Sequence, residues 1–173
     1  GAHRGLQLRV PGEDAAGVIL GIDYLREINL GRAQPTGEKV AVIGGGNTAM
    51  DVARTARRQG AEVSILYRRT ATEMPADPEE VEGAIAEGVK FDYLISPLEV
   101  VTENGRVTGL KCISNELGEP DETGRARPVA IEGSEHVREF DMVIPSVSQQ
   151  PFRTWFKGGV PEKGQIGFTK WDT

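Results

Sequence analysis

The sequence predicts an α/β fold: a parallel sheet built from βαβ units, with a three-stranded antiparallel meander inserted into it. Three observations carry this expectation. Residues 40–67 run strand, glycine turn, helix, strand in about 28 residues, the length of one right-handed βαβ unit. Residues 98–114, LEVVTENGRVTGLKCIS, place apolar runs on either side of Asn104-Gly105, a strong hairpin signal. Residues 141–147, DMVIPSV, supply a last short apolar strand.

Along the chain, Pro11-Gly12 marks a turn in an irregular opening segment. Ile19, Ile22, Leu25 and Ile28 recur at three-residue steps, which predicts a short helix ended by Gly31. RAQPTGEK, 32–39, reads as a linker. Val40–Ile43 is an apolar strand ending at three glycines, and Asn47–Gln59 is a helix with Ala49, Val52, Ala53 and Ala56 on one face. Arg54, Arg57 and Arg58 fall on the other face and read as solvated. Gly60 is placed to end that helix, and Val63–Tyr67 is the second strand. Asp77, Pro78 and Glu80 have the order of an N-cap, a first helical residue and a capping-box acid, so a helix is expected from there to about Gly88. VKFDYLI, 89–95, is a strand. The hairpin, a polar loop over 119–128 and one further strand within 129–140, broken at Gly133, complete the meander. Residues 152–173 are rich in glycine and aromatics and form no core of their own.

Composition limits the function classes. The 173 residues carry 26 acidic and 20 basic side chains, a net charge of -6 and a pI near 5.1, which argues against nucleic acid as a partner. No apolar run approaches the ~18 residues of a membrane span, and no signal segment opens the chain. Cys112 is the only cysteine, so an internal disulfide or a cysteine cluster is excluded and a cytoplasmic location is expected. The 22 glycines are about 13% of the chain, against a usual ~7%. His3 and His136 have no partner at metal-ligand spacing, and no catalytic triad or carboxylate pair is present. The catalytic and metal assignments are therefore none. Cys112 alternates with apolar neighbours and reads as core. Asp51 reads as a helix-dipole partner, and Glu73 and Met74 lie either on a solvated loop or along a cleft.

The residues that point to chemistry are Gly44-x-Gly46-x-x-Ala49, with a strand before them and a helix after them. Gly44 permits a tight turn, Gly46 lets a pyrophosphate approach the backbone, and Ala49 allows close packing of helix on strand. The helix start favours anions through its free N–H groups and its dipole. The motif in this context predicts dinucleotide binding on a Rossmann-like sheet, the alternative being a glycine turn without a ligand. About 20 residues on, where an acid that reads a ribose hydroxyl is expected, stand Arg68 and Arg69. Guanidinium groups bind a 2′-phosphate, which a carboxylate would repel. They predict NADPH rather than NADH, the alternative being two solvated arginines at a strand end.

VAVIGGGNTAMDVARTARRQGAEVSILYRRTATEMPA, followed by EEVEGAIAEGVKF, resembles the NADPH-binding domain of the glutamate synthase small (beta) subunit family, NADPH-dependent flavoproteins with a pyridine nucleotide-disulfide oxidoreductase-like fold. PGEDAAGVILGIDYLREINLG resembles the segment leading out of that family's flavin domain. The resemblance implies a glutathione-reductase-type NAD(P) domain over 37–151, a connection from a flavin domain over 1–36 and a return to it over 152–173. It implies that Gly44, Gly45, Gly46, Asn47 and Thr48 hold the pyrophosphate. Arg68 and Arg69 would hold the 2′-phosphate, with Val147 and Ser148 beside the nucleotide. Many relatives carry glycine in place of Ser148, and a side chain there would crowd the ligand. FAD and iron–sulfur clusters are implied for the parent protein only. The partners are the flavin domain of the same parent chain and a glutamate synthase large subunit or another electron acceptor. The chain alone is expected to bind NADPH with little turnover. A non-catalytic NADP(H)-binding or sensing module is the second reading. An NAD-linked dehydrogenase is a third, without a proton-transfer residue to support it.

Overall fold

The computed structural model describes residues 8–32 and 36–147. Its centre is a parallel sheet of β1 (Lys39–Ile43), β2 (Glu62–Tyr67), β3 (Lys90–Tyr93) and β8 (Met142–Pro145), in the order β3-β2-β1-β8. Val40 lies opposite Val63 on one side and Met142 on the other, so β1 is an inner strand from which the chain departs in one direction and to which it returns from the other.

Three helices flank the sheet: α1 (Gly21–Asn29), α2 (Asn47–Arg58) and α3 (Pro78–Ala86). Alternation along β1 divides the interior. Val40 and Val42 pack with Ala49, Val52, Ala53 and Ala56 of α2. Ala41 and Ile43 point the other way, into a second cluster with Leu98, Val100, Leu110 and Ile113. β1 is thus buried on both faces, which is why its sequence is a continuous apolar run rather than an alternating one. Ala49 is fully buried, as its place in the glycine motif requires.

The second cluster lies under the antiparallel layer. β4 (Ile95–Glu103) and β5 (Arg106–Pro120) pair across a tip where Asn104 and Gly105 both have positive φ, 54° and 75°, the conformation that an Asn-Gly hairpin turn needs. β5 is 15 residues long and exceeds the expected strand. Its far end pairs with β6 (Ala126–Ala130) and its near end with β7 (His136–Glu139). The single third strand expected within 129–140 is therefore two strands separated at Gly133, whose φ is 81°. The polar loop expected over 119–128 is a hairpin tip of residues 121–125 between β5 and β6.

Other local expectations change as well. Ile22, expected on the apolar face of α1, is exposed; Tyr24 is the fully buried residue, its hydroxyl paired with Thr36 at 3.0 Å. Asp77 caps α3 by position, yet its carboxylate accepts from Asn47 Nδ2 at 3.1 Å instead of from its own helix. Asp51 falls beyond the first turn of α2. Cys112 is fully buried, and burial pushes its thiol up to about 12. Leu8 and Val10, in the irregular opening segment, are buried against the antiparallel layer.

Candidate functional site

β1 delivers the chain to three glycines with different surroundings. At Gly44 φ is +142°, and a Cβ would stand 2.5 Å from the Ser146 carbonyl oxygen. At Gly45 a Cβ would stand 2.5 Å from the Tyr67 ring. At Gly46 a Cβ would meet no atom within 4 Å. The first two glycines make room for the protein itself, whereas Gly46 leaves backbone open on the cleft side. Gly46 is also the N-cap of α2, so the first N–H groups of that helix, which have no partner within it, and the positive end of its dipole adjoin the open position. The Asn47 side chain is committed elsewhere: its Oδ1 accepts from the Asp77 N–H at 2.8 Å while its Nδ2 donates to the Asp77 carboxylate. What Asn47 offers a ligand is its backbone. Thr48 is exposed in the same turn.

Arg68 and Arg69 follow β2 and part company there. Arg69 is 3% exposed. Its Nε donates to the Ala126 carbonyl at 2.7 Å and its Nη2 to Asp121 Oδ2 at 2.8 Å. A buried guanidinium requires such partners, so much of Arg69's donor capacity is spent on the tip of the β5–β6 hairpin. Arg68 is half-buried, with its carbonyl accepting from Asn115 Nδ2 at 3.1 Å. Burial, followed by the positive charges of Arg69 and Arg125, pushes the Arg68 guanidinium down to about 10. It stays charged at neutral pH, in a setting that a nearby anion would favour.

These parts line one cleft. Gly44, Gly46, Tyr67, Arg68, Arg125 and Val147 are on its wall, with Arg69, Gly45 and Pro75 among the others. The cleft lies beyond the carboxyl ends of β1, β2 and β8, where the strand order reverses, the usual place for a ligand on an open α/β sheet. Gly44, Gly45, Gly46, Arg68, Arg69 and Val147 of the expected set meet there; the Asn47 and Thr48 side chains are not on the wall. Ser148 and His3 lie outside the described residues.

Arg125 was not foreseen. Its segment reads as a polar loop, and nothing local shows that a hairpin brings it to the end of β2. Tyr67 and Pro75 were also missed as lining residues. Glu73 and Met74 do not line the cleft: the Glu73 carboxylate accepts from the Thr70 N–H at 3.1 Å and from its hydroxyl, while Met74 packs on the helical core. Among the described residues no group of three His, Cys, Asp or Glu side chains is arranged to hold a metal, and no helix is long and apolar enough to cross a membrane.

A protein-family model described as pyridine nucleotide-disulphide oxidoreductase matches residues 1–166. The NADPH-Fe(3+) oxidoreductase subunit beta of Geobacter sulfurreducens is 49% identical over 178 residues, covering 100% of this chain and 26% of that protein. The NADP(+)-dependent formate dehydrogenase subunit beta of Moorella thermoacetica is 43% identical, with 96% and 24% covered. The glutamate synthase [NADPH] small chain of Halomonas elongata is 41% identical, with 96% and 38% covered. The chain therefore spans 24% to 38% of the length of these relatives. Among solved structures, a thioredoxin reductase from Lactococcus lactis superposes with a TM-score of 0.56 at 20% identity, covering 87% of this chain and 43% of that one. A ferredoxin reductase from Rhodopseudomonas palustris gives 0.55 at 24% identity, covering 86% and 33%. Both structures share this fold.

Proposed function

The chain belongs to the pyridine nucleotide-disulphide oxidoreductase family, and from that premise we propose that it is the NADPH-binding domain of a larger flavoprotein oxidoreductase similar to the glutamate synthase small subunit. In this reading residues 37–151 form the nucleotide domain, 1–36 lead in from the flavin domain and 152–173 return to it. The observation that carries the reading is the convergence of an open glycine helix-start and a cluster of arginines on one cleft.

The residues fit the cofactor. Gly44 shapes the turn, and Gly46 with the first N–H groups of α2 suits a pyrophosphate. Arg68 suits a phosphate on the adenosine ribose. Val147, and Ser148 after it, flank the nucleotide. When bound, NADPH supplies a hydride equivalent, for which FAD in the rest of the parent is the acceptor. This chain's part is to bind and orient. Iron–sulfur clusters and the onward partner, a glutamate synthase large subunit or another acceptor, belong to the remainder of a cytoplasmic parent protein.

The relatives' names support this division. They share NADPH or NADP(+) and differ in the other reactant: ferric iron, formate, glutamate synthesis. The portion they share with this chain is the portion suited to the shared cofactor.

Calorimetric titration tests the reading. The protein should bind NADPH more tightly than NADH, and Arg68→Ala should weaken NADPH by about 1.5–3 kcal/mol, the worth of a charge-assisted contact, with little change for NADH. Equal binding of the two nucleotides by the unaltered protein would contradict it.

A further inference from the structure

We propose that Arg125, at the tip of the β5–β6 hairpin, is a second cation on the 2′-phosphate beside Arg68, so that the antiparallel layer completes the choice of NADPH. This rests on the NADPH reading above and assigns a residue that the glycine motif and the arginine pair leave out.

The tip that carries Arg125 is built to hold its shape. The Asp121 carboxylate accepts from the N–H groups of Thr123 at 2.8 Å and Arg125 at 3.2 Å. The Asp121 N–H donates to the Arg125 carbonyl at 2.7 Å, and Gly124, with φ +83°, donates back to the Asp121 carbonyl at 3.0 Å. The closed tip is then fixed to the end of β2, because Arg69 donates to Asp121 on one side of the tip and to Ala126 on the other. Arg69 thereby gives up much of its donor capacity and sets Arg125 on the same wall as Arg68.

Arg125 itself is lightly engaged. Its Nε donates to Thr123 Oγ1 at 3.2 Å, and among the described residues no carboxylate forms an ion pair with it. Arg54, Arg58 and Arg138, by contrast, each meet an acid. Two guanidinium groups on one partly desolvated wall repel each other. A phosphate monoester, with close to two negative charges and three acceptor oxygens, can bridge two such groups; a ribose hydroxyl cannot.

The test compares two probes that differ only in the 2′-phosphate: adenosine 2′,5′-bisphosphate and adenosine 5′-monophosphate. The unaltered protein should prefer the bisphosphate. Arg125→Ala should lower the ratio of the two affinities by about tenfold or more, the effect of losing one charge-assisted contact, with monophosphate binding nearly unchanged. Arg125→Lys should recover part of the ratio, which a purely structural effect on the hairpin would not give. If Arg68→Ala lowers the ratio and Arg125→Ala leaves it alone, Arg125 is a solvated tip residue and the inference fails while the NADPH reading stands. An equal loss for both probes in Arg125→Ala also overturns it. No preference in the unaltered protein overturns both.

Discussion

Gly44, Gly45 and Gly46 are one residue type in a row with three environments, and the differences predict different mutational outcomes. Alanine at Gly44 meets a backbone oxygen at 2.5 Å and a φ of +142°, so Gly44→Ala should cost about 1–3 kcal/mol of stability in urea denaturation. Alanine at Gly46 meets nothing but caps α2 less well than glycine; Gly46→Ala should cost about 0.5–1 kcal/mol, less than Gly44→Ala, and weaken NADPH binding. A reversed order would show that the turn is built differently. The tight turn at Gly44, the open position at Gly46 and the buried Ala49 were legible because the motif is local. The role of Gly45 was not, because the ring of Tyr67 that it accommodates comes from the neighbouring strand. The same limit separates the two arginines: adjacent in sequence, they differ because Asp121 lies 52 residues from Arg69 along the chain.

At the scale of elements, the three helices and the four parallel strands fell where periodicity placed them, while the strands of the antiparallel layer and the use of helix surfaces did not follow. The arginine face of α2 reads as solvated, but it is the seam against α3. Arg54 donates to Glu87 at 2.8 Å and to Glu80 at 3.0 Å, Arg57 to the Glu87 carbonyl at 3.0 Å, and Arg58 to the Glu87 carboxylate at 2.8 Å. Single-helix periodicity cannot show that a second helix faces the charged side. Arg58 and then Arg54 hold the Glu87 carboxyl below its ordinary value. A carboxyl lowered in the folded state contributes stability above its unfolded value, and that contribution is lost as pH falls through its folded one. Glu87→Gln should therefore be less stable than the unaltered protein at pH 7, with the gap closing as pH drops below about 4. A gap that persists in acid would mean that the seam depends on shape and not charge.

Over the whole molecule, helices, parallel sheet and antiparallel layer stack so that all three meet at the cleft. The βαβ unit supplies the glycine turn and Arg68. The antiparallel layer supplies Arg125, steadies Arg69, and holds the Arg68 carbonyl through Asn115. The first contribution is written within residues 40–69 and could be read there. The second depends on β5 being long enough to carry its tip back to β2, a fact of tertiary pairing with no local signature. The central claim is that one NADPH lies across both contributions. The structure of the protein crystallised with NADP(+) tests it most directly. The account predicts the pyrophosphate against Gly46 and the first turn of α2, and the 2′-phosphate between Arg68 and Arg125. A nucleotide bound with its pyrophosphate away from Gly46, or with its 2′-phosphate turned to solvent, would contradict it.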